Sequence, residues 1–263
     1  DLTLVNGAGA DKVMTALVSG DADIGFMGSE ASIYTYIQGD ADYAVNFAQL
    51  TQRAGNFLVG RTPEADFKWG NLVGKKVLGG RAGGMPQMVF EYILKKNGID
   101  PTKDLTIDQS ISFGLTAAAF TSNDFDYTVE FEPFATALEQ EGNGYVVASL
   151  GKDSGYVPYT AYSAKKSYLE KHPEIIQRFT NAIQKGLDYV NTHSAAEIAE
   201  TIKPQFQETD TEKIKIIVER YKEQDTWKGN TVFEKESFEL LENILEEAGE
   251  LDTRVPYEDL VKT

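Results

Sequence analysis

Over the first 165 residues, short apolar runs alternate with stretches of helical periodicity, the pattern of successive βα units. The runs predict strands at LTLV (2–5), ADIGFM (22–27), YAVNFAQL (43–50), NFLVG (56–60), KKVLGG (75–80), LTID (105–108), FDYTVE (125–130), YVVASL (145–150) and VPYTAYS (157–163). Strands separated by helices in this way predict a mainly parallel sheet. Beyond residue 165 the period changes to that of helices. Ile175, Ile176, Phe179, Ile183, Leu187 and Val190 keep one face apolar over 174–190. Ser194 with Glu197, and Thr209 with Glu212, read as capping boxes. A last helix is expected from about Val232 to Ala248, stopped by Gly249.

The pattern repeats. The segment from Asp1, DLTLVNGAGADKVMTALVSGDADIGFMGSEA, aligns without gaps on DLTIDQSISFGLTAAAFTSNDFDYTVEFEPF from Asp104. What carries the match is the shared order of strand, loop, helix, strand, helix, strand. Two similar α/β lobes follow: residues 1–60 with 158–263, and residues 61–157, with 56–61 and 156–163 as connecting strands. The second lobe opens with a strand–loop–helix over 75–103 that has no counterpart before Asp1. The repeat therefore predicts an absent N-terminal strand and helix, and an open sheet position beside strand 2–5.

Composition narrows the function. With 41 acidic and 25 basic side chains the net charge is −16, a surface that repels nucleic acid and anionic membranes. The absence of cysteine removes disulfides, thiolate nucleophiles and zinc–cysteine sites. The two histidines, His172 and His193, lie in the helical C-terminal region with no nucleophile or metal-ligand spacing. The aspartate pairs of GDAD, DADYAV and NDFD fall in turns, where Asp is favoured structurally. No catalytic, metal or cofactor site is predicted.

The richest candidate is GGRAGGMPQ (79–87), between a strand and a helix. It is neither a Walker A loop nor Gly-x-Gly-x-x-Gly. Its glycines allow close backbone approach, and Pro86 suits a first helical turn, so the loop can present free N–H groups to a ligand. A plain βα turn is the alternative; Arg81 favours a ligand. With a one-residue slip in the repeat Glu30 falls on Glu132, each opening a helix. They complement a helix dipole, or accept hydrogen bonds from amino groups of a ligand. Phe26, Tyr34, Phe113, Phe131 and Tyr156 adjoin these loops as flat walls or as core.

Taken together, TALVSGDADIGFMGSEASIY, LVGKKVLGGRAGGMPQMVFEYILKKNGID, FDYTVEFEPFATALEQ, the long segment from GYVPYTAYS, and VPYEDLV resemble a bacterial ABC-transporter solute-binding protein. The group is that of nitrate, sulfonate and taurine binders and thiamine-pyrimidine-synthase-like proteins. The resemblance implies an α/β, two-lobed type II periplasmic-binding fold with two hinge strands and a helical C-terminal region. It also implies a small ligand closed between the lobes, an ABC permease as partner and a monomeric state. The location implied is extracytoplasmic, in a periplasm or as a Gram-positive lipoprotein. By position it assigns the ligand to Ser29, Glu30, Gly83, Gly84, Met85 and Gln87, with Glu130 or Glu132 across from them; the loop reading adds Arg81, Phe113 and Tyr156. The enzymatic branch depends on active-site histidine and lysine, and no histidine stands near the cleft here. Carboxylates and aromatic walls favour a thiamine-type pyrimidine, a flavin or a related heterocycle. The alternatives are a small anion, such as nitrate, taurine or an alkanesulfonate, and a sensor domain or enzyme on the same fold.

Overall fold

A computed structural model describes residues 2–7, 9–112 and 114–263. Helix α1 (Ala10–Ser19) leads to β1 (Gly25–Gly28), α2 (Glu30–Ile37), β2 (Ala44–Thr51) and β3 (Asn56–Gly60). Next come β4 (Lys76–Leu78), α3 (Met85–Lys96), β5 (Thr106–Asp108), α4 (Thr116–Ser122), β6 (Tyr127–Phe131), α5 (Phe134–Gln140), β7 (Tyr145–Ser149) and α6 (Leu150–Ser154). After β8 (Thr160–Lys165) the chain forms α7 (Lys166–Lys171), α8 (Pro173–Thr192), α9 (Ala195–Ile202), α10 (Thr211–Glu223), α11 (Lys235–Ala248) and α12 (Tyr257–Leu260).

The strands form two sheets, ordered β1-β8-β2 and β5-β4-β6-β3-β7. The expected mainly parallel pairing is corrected: among the described strands, parallel strand-to-strand pairing is confined to β4 with β5 and β6. The reason is the placement of two strands. β8 is wedged between β1 and β2, and β3 between β6 and β7, each antiparallel to both neighbours. Strands produced by successive βα units still point the same way, but the two crossing strands interrupt their hydrogen bonding. Residues 56–60, grouped by sequence with the first lobe, hydrogen-bond within the five-stranded sheet.

Two further expectations change. Residues 2–5 form no strand, and Leu2, Leu4 and Val5 are 78–82% exposed. Alternating apolar residues specify a strand only where a neighbour satisfies the backbone groups. The α10 cap is Asp210, whose side chain accepts from Lys213 N–H, rather than Thr209. The Ser194–Glu197 capping box forms, and Gly249 ends α11 in the left-handed conformation.

Two crossovers between the sheets, residues 52–55 and 155–159, run side by side. The hydroxyls of Thr51 and Thr160 are 2.6 Å apart, and Tyr159 N–H donates to the Thr51 carbonyl at 3.3 Å. Gln224 seals this region from the C-terminal side, donating to the Ala54 carbonyl at 3.0 Å and accepting from Ser149 at 2.6 Å. One apolar core joins Ile33 and Ala161 to Leu58, Val77 and Val129, and to Phe238, Leu241 and Leu245 of α11. Among the described residues no helix is long and apolar enough to cross a membrane.

Candidate functional site

The Gly79–Gln87 loop delivers the chain into α3, whose N-cap residue supplies no side-chain cap. Gly84 is the extended N-cap residue, Met85 is the first helical residue, and Pro86 follows. Gly83 has φ +73°, which a side chain would strain. Gln87 braces this turn: its Oε1 accepts from Gly83 N–H at 2.9 Å, while its Nε2 donates to Glu91, which also accepts from Gln109 at 3.1 Å. From the three-stranded side, Tyr34 Oη donates to the Gly83 carbonyl at 3.2 Å.

Opposite the loop stands Glu30, the first residue of α2 and 2% exposed. Ser29 precedes it and is anchored by its hydroxyl to the Pro158 carbonyl. The Glu30 side chain folds back over Gly28, where a Cβ would lie 2.1 Å from Oε2. Burial pushes the Glu30 pKa up to about 7, moderated by the N–H groups of Glu30 itself and of Met85, and by the charge of Arg81. The carboxylate thus lies where the N-termini of α2 and α3 converge. Oε2 is buried without a hydrogen-bond partner.

Beside it is Tyr159, 4% exposed, whose phenol is held well above the usual range by burial and by the Glu30 charge. Tyr159 Oη approaches Asn56 Oδ1 at 3.4 Å, and Asn56 Nδ2 is also buried without a partner. The orphan donor thus belongs to a residue that touches Tyr159, and the orphan acceptor to one whose charge acts on that phenol. Buried polar groups are nearly always paired, which makes these two orphans candidates for a partner from outside the chain; Gln49 Oε1, Arg53 Nε and Ser154 Oγ are unpartnered too.

The structure brings Ser29, Glu30, Arg81, Gly83, Gly84, Met85 and Gln87 to this junction. Met85 is buried. Arg81 is half-exposed, its guanidinium 4.0 Å from Asp11. The remaining candidates have other partners. Glu130 is buried on β6 and accepts from Thr116 at 2.9 Å and Thr128 at 2.7 Å; burial raises its pKa to about 7. Glu132 caps α5 through Thr136 N–H at 2.9 Å and pairs with Arg220 at 2.7 Å. Tyr156 is 54% exposed; its hydroxyl donates to Asp225 at 2.7 Å and Arg53 covers its ring at 4.1 Å. Phe113 lies outside the described residues.

Three residues at the junction escaped the sequence reading. Asn56 and Tyr159 sit in apolar strand runs that read as core, and a lone Asn in NFLVG was the available signal. Glu250 lies over Gly83 because α11 ends there, a contact between residues 167 positions apart that no local pattern encodes. Among the described residues, no group of three or more His, Asp or Glu could hold a metal ion.

Comparison with known proteins gives this geometry a context. The model of the NMT1-like family matches residues 1–203. The Bacillus subtilis (strain 168) "Putative binding protein YtlA" is 46% identical over 253 residues, covering 96% of this chain and 76% of its own. Among solved structures, the alkanesulfonate-binding protein SsuA from Xanthomonas axonopodis pv. citri, bound to MOPS, superposes with a TM-score of 0.78 at 17% identity, over 97% of this chain and 85% of its own. The periplasmic nitrate-binding protein NrtA from Synechocystis PCC 6803 gives 0.63 at 16% identity, over 78% and 58%. At these identities the structural likeness establishes the periplasmic-binding fold.

Proposed function

The chain belongs to the NMT1-like family, and from that premise we propose that it is the extracytoplasmic solute-binding component of an ABC importer. Its ligand is a small heterocycle that carries an amino group, of the thiamine-pyrimidine or flavin type. The observation that carries this reading is the pair of buried orphans, Glu30 Oε2 and Asn56 Nδ2, of which Asn56 touches Tyr159 and Glu30 acts on it through its charge. A ring bearing an exocyclic N–H and an adjacent acceptor nitrogen answers both at once. Tyr159 and Phe131, with ring centroids 6.2 Å apart, supply aromatic surface beside them.

Residues 52–55 and 155–159 act as the hinge between the lobes, and ligand binding shifts the population toward the closed arrangement. The closed form is then read by a membrane permease. A lipid-anchored or periplasmic monomer fits this role, and no reaction is assigned to the site.

A second reading, a small anion, draws support from the α3 N-terminus and Arg81. It also draws support from the names of the two solved neighbours. A thermal-shift panel of aminopyrimidines, flavins, alkanesulfonates and nitrate separates the two. A rise in melting temperature with aminopyrimidines or flavins is expected. A rise with sulfonates or nitrate alone overturns the heterocycle, and a flat response to every compound contradicts the small-ligand reading.

A further inference from the structure

The N-terminus of α3 is already occupied from within the chain. Met85 N–H points to the carboxylate of Glu30, which belongs to another helix and another sheet layer. The carboxylate is held in this position: it is 2% exposed and folded over Gly28, and its charge acts on the Tyr159 phenol. Its second oxygen still lacks a partner, so the arrangement is incomplete as a purely structural cap.

We infer that Glu30 is the charge-selecting residue of the junction: its carboxylate holds the place an anionic head group would take at α3. A small anion can then bind there only together with a proton, whereas an N–H donor binds the carboxylate directly. The inference rests on the junction being the ligand site, and it adds the rule by which that site chooses.

The chemistry follows from what surrounds Glu30. A second negative charge between two helix N-termini and beside Glu30 faces like-charge repulsion at low dielectric. The titratable and charged groups facing it are Tyr34 on α2, Tyr159 ahead of β8, Arg81 before α3, and Glu250 beside Tyr34 and Gly83. Both phenols are raised by burial and stay neutral, and Arg81 is the single cation among them. One guanidinium, half-exposed and shared with Asp11, cannot offset two buried anions. Protonating Glu30, whose pKa burial lifts to about 7, removes the conflict and turns the carboxyl into a donor.

The test titrates wild type and Glu30→Gln with ethanesulfonate and with nitrate at about pH 5.5 and about pH 8, conditions that straddle the Glu30 transition. One proton linked to binding predicts that wild type binds either anion roughly 10-fold more weakly at the higher pH. Glu30→Gln binds equally at both, and roughly 10-fold tighter than wild type at the higher pH. Wild-type affinity that ignores pH, a variant no better than wild type, or no anion binding by any protein at either pH overturns the inference. If the variant does not fold, the wild-type pH profile decides alone. An aminopyrimidine bound by wild type, without any anion gain in the variant, sinks the gate and leaves the ligand class standing. Anion gain in the variant without heterocycle binding does the reverse.

Discussion

Gly28 and Glu30 are packed so closely that a methyl group on Gly28 would stand 2.1 Å from Glu30 Oε2. The absence of a side chain at 28 is what lets the carboxylate fold back to the mouth of α3. Gly28 does not require a left-handed backbone, so alanine is conformationally allowed there.

Gly28→Ala should therefore move the Glu30 carboxylate away from Met85 while leaving β1 paired with β8. The expected outcome is a loss of heterocycle affinity of about 10-fold, the scale of one charge-assisted hydrogen bond. Titration calorimetry beside a circular-dichroism melt measures both effects. Unchanged affinity would show that the carboxylate's position does not matter to the ligand.

The pH dependence of stability carries a defined sign. Burial raises Glu30 and Glu130 from 4.5 to about 7, so between these values the unfolded chain has already ionised while the fold keeps its protons. Their contribution to stability is complete below about pH 4.5, falls as pH rises toward 7, and levels off above it. Glu130→Gln removes one of the two titrations and flattens the decline by on the order of 3 kcal/mol, read as the wild-type minus variant difference in urea unfolding across pH. A difference independent of pH would contradict the burial argument.

Arg220 ties the C-terminal helices to the five-stranded half. It reaches Glu132 at 2.7 Å and Glu139 at 2.5 Å, and the Glu132 side chain is only 2% exposed. Arg220→Ala leaves that carboxylate buried and unpaired, at a cost of about 3 kcal/mol. Because Glu132 is engaged here, ligand affinity of the folded variant should stay within about 2-fold of wild type, a change below 0.5 kcal/mol. A large affinity loss with little change in urea midpoint would instead place Glu132 in the ligand's contact set.

The sequence made most of the framework legible because local rules governed it. Eight of the nine proposed strand segments hold a strand, most of them buried in a sheet, with β5 and β7 at the sheet edges only partly covered. The segment 2–5 has the same local pattern but pairs with no described strand, and local pattern does not encode which neighbour a segment meets. Pairing direction was misread for a related reason: β3 and β8 return from outside the βα succession, and nothing in NFLVG or VPYTAYS states which gap they enter. At the site, Glu30 and the glycine loop were visible through charge at a helix start and clustered glycines. Asn56, Tyr159 and Glu250 were not, because their meaning lies in contacts between distant segments. The equivalence of Glu30 and Glu132 in the repeat was real in sequence but divided in use, one held by α3 and the other by Arg220.

The most direct test of the central claim, that the junction at the α3 N-terminus is the ligand site, is the affinity of Gly84→Val for whichever panel compound stabilises the wild type. A Cβ at 84 meets only ordinary contacts, at 3.4 Å from the Arg81 carbonyl and 3.6 Å from its guanidinium, so the fold should tolerate it. The valine would add bulk at the N-cap of α3, beside Arg81 and Pro86. The account predicts an affinity loss of at least about 100-fold, equivalent to about 2.7 kcal/mol, with the ligand-free melting temperature unchanged. Wild-type affinity in the folded variant would contradict it and leave GGRAGGMPQ as a turn between a strand and a helix.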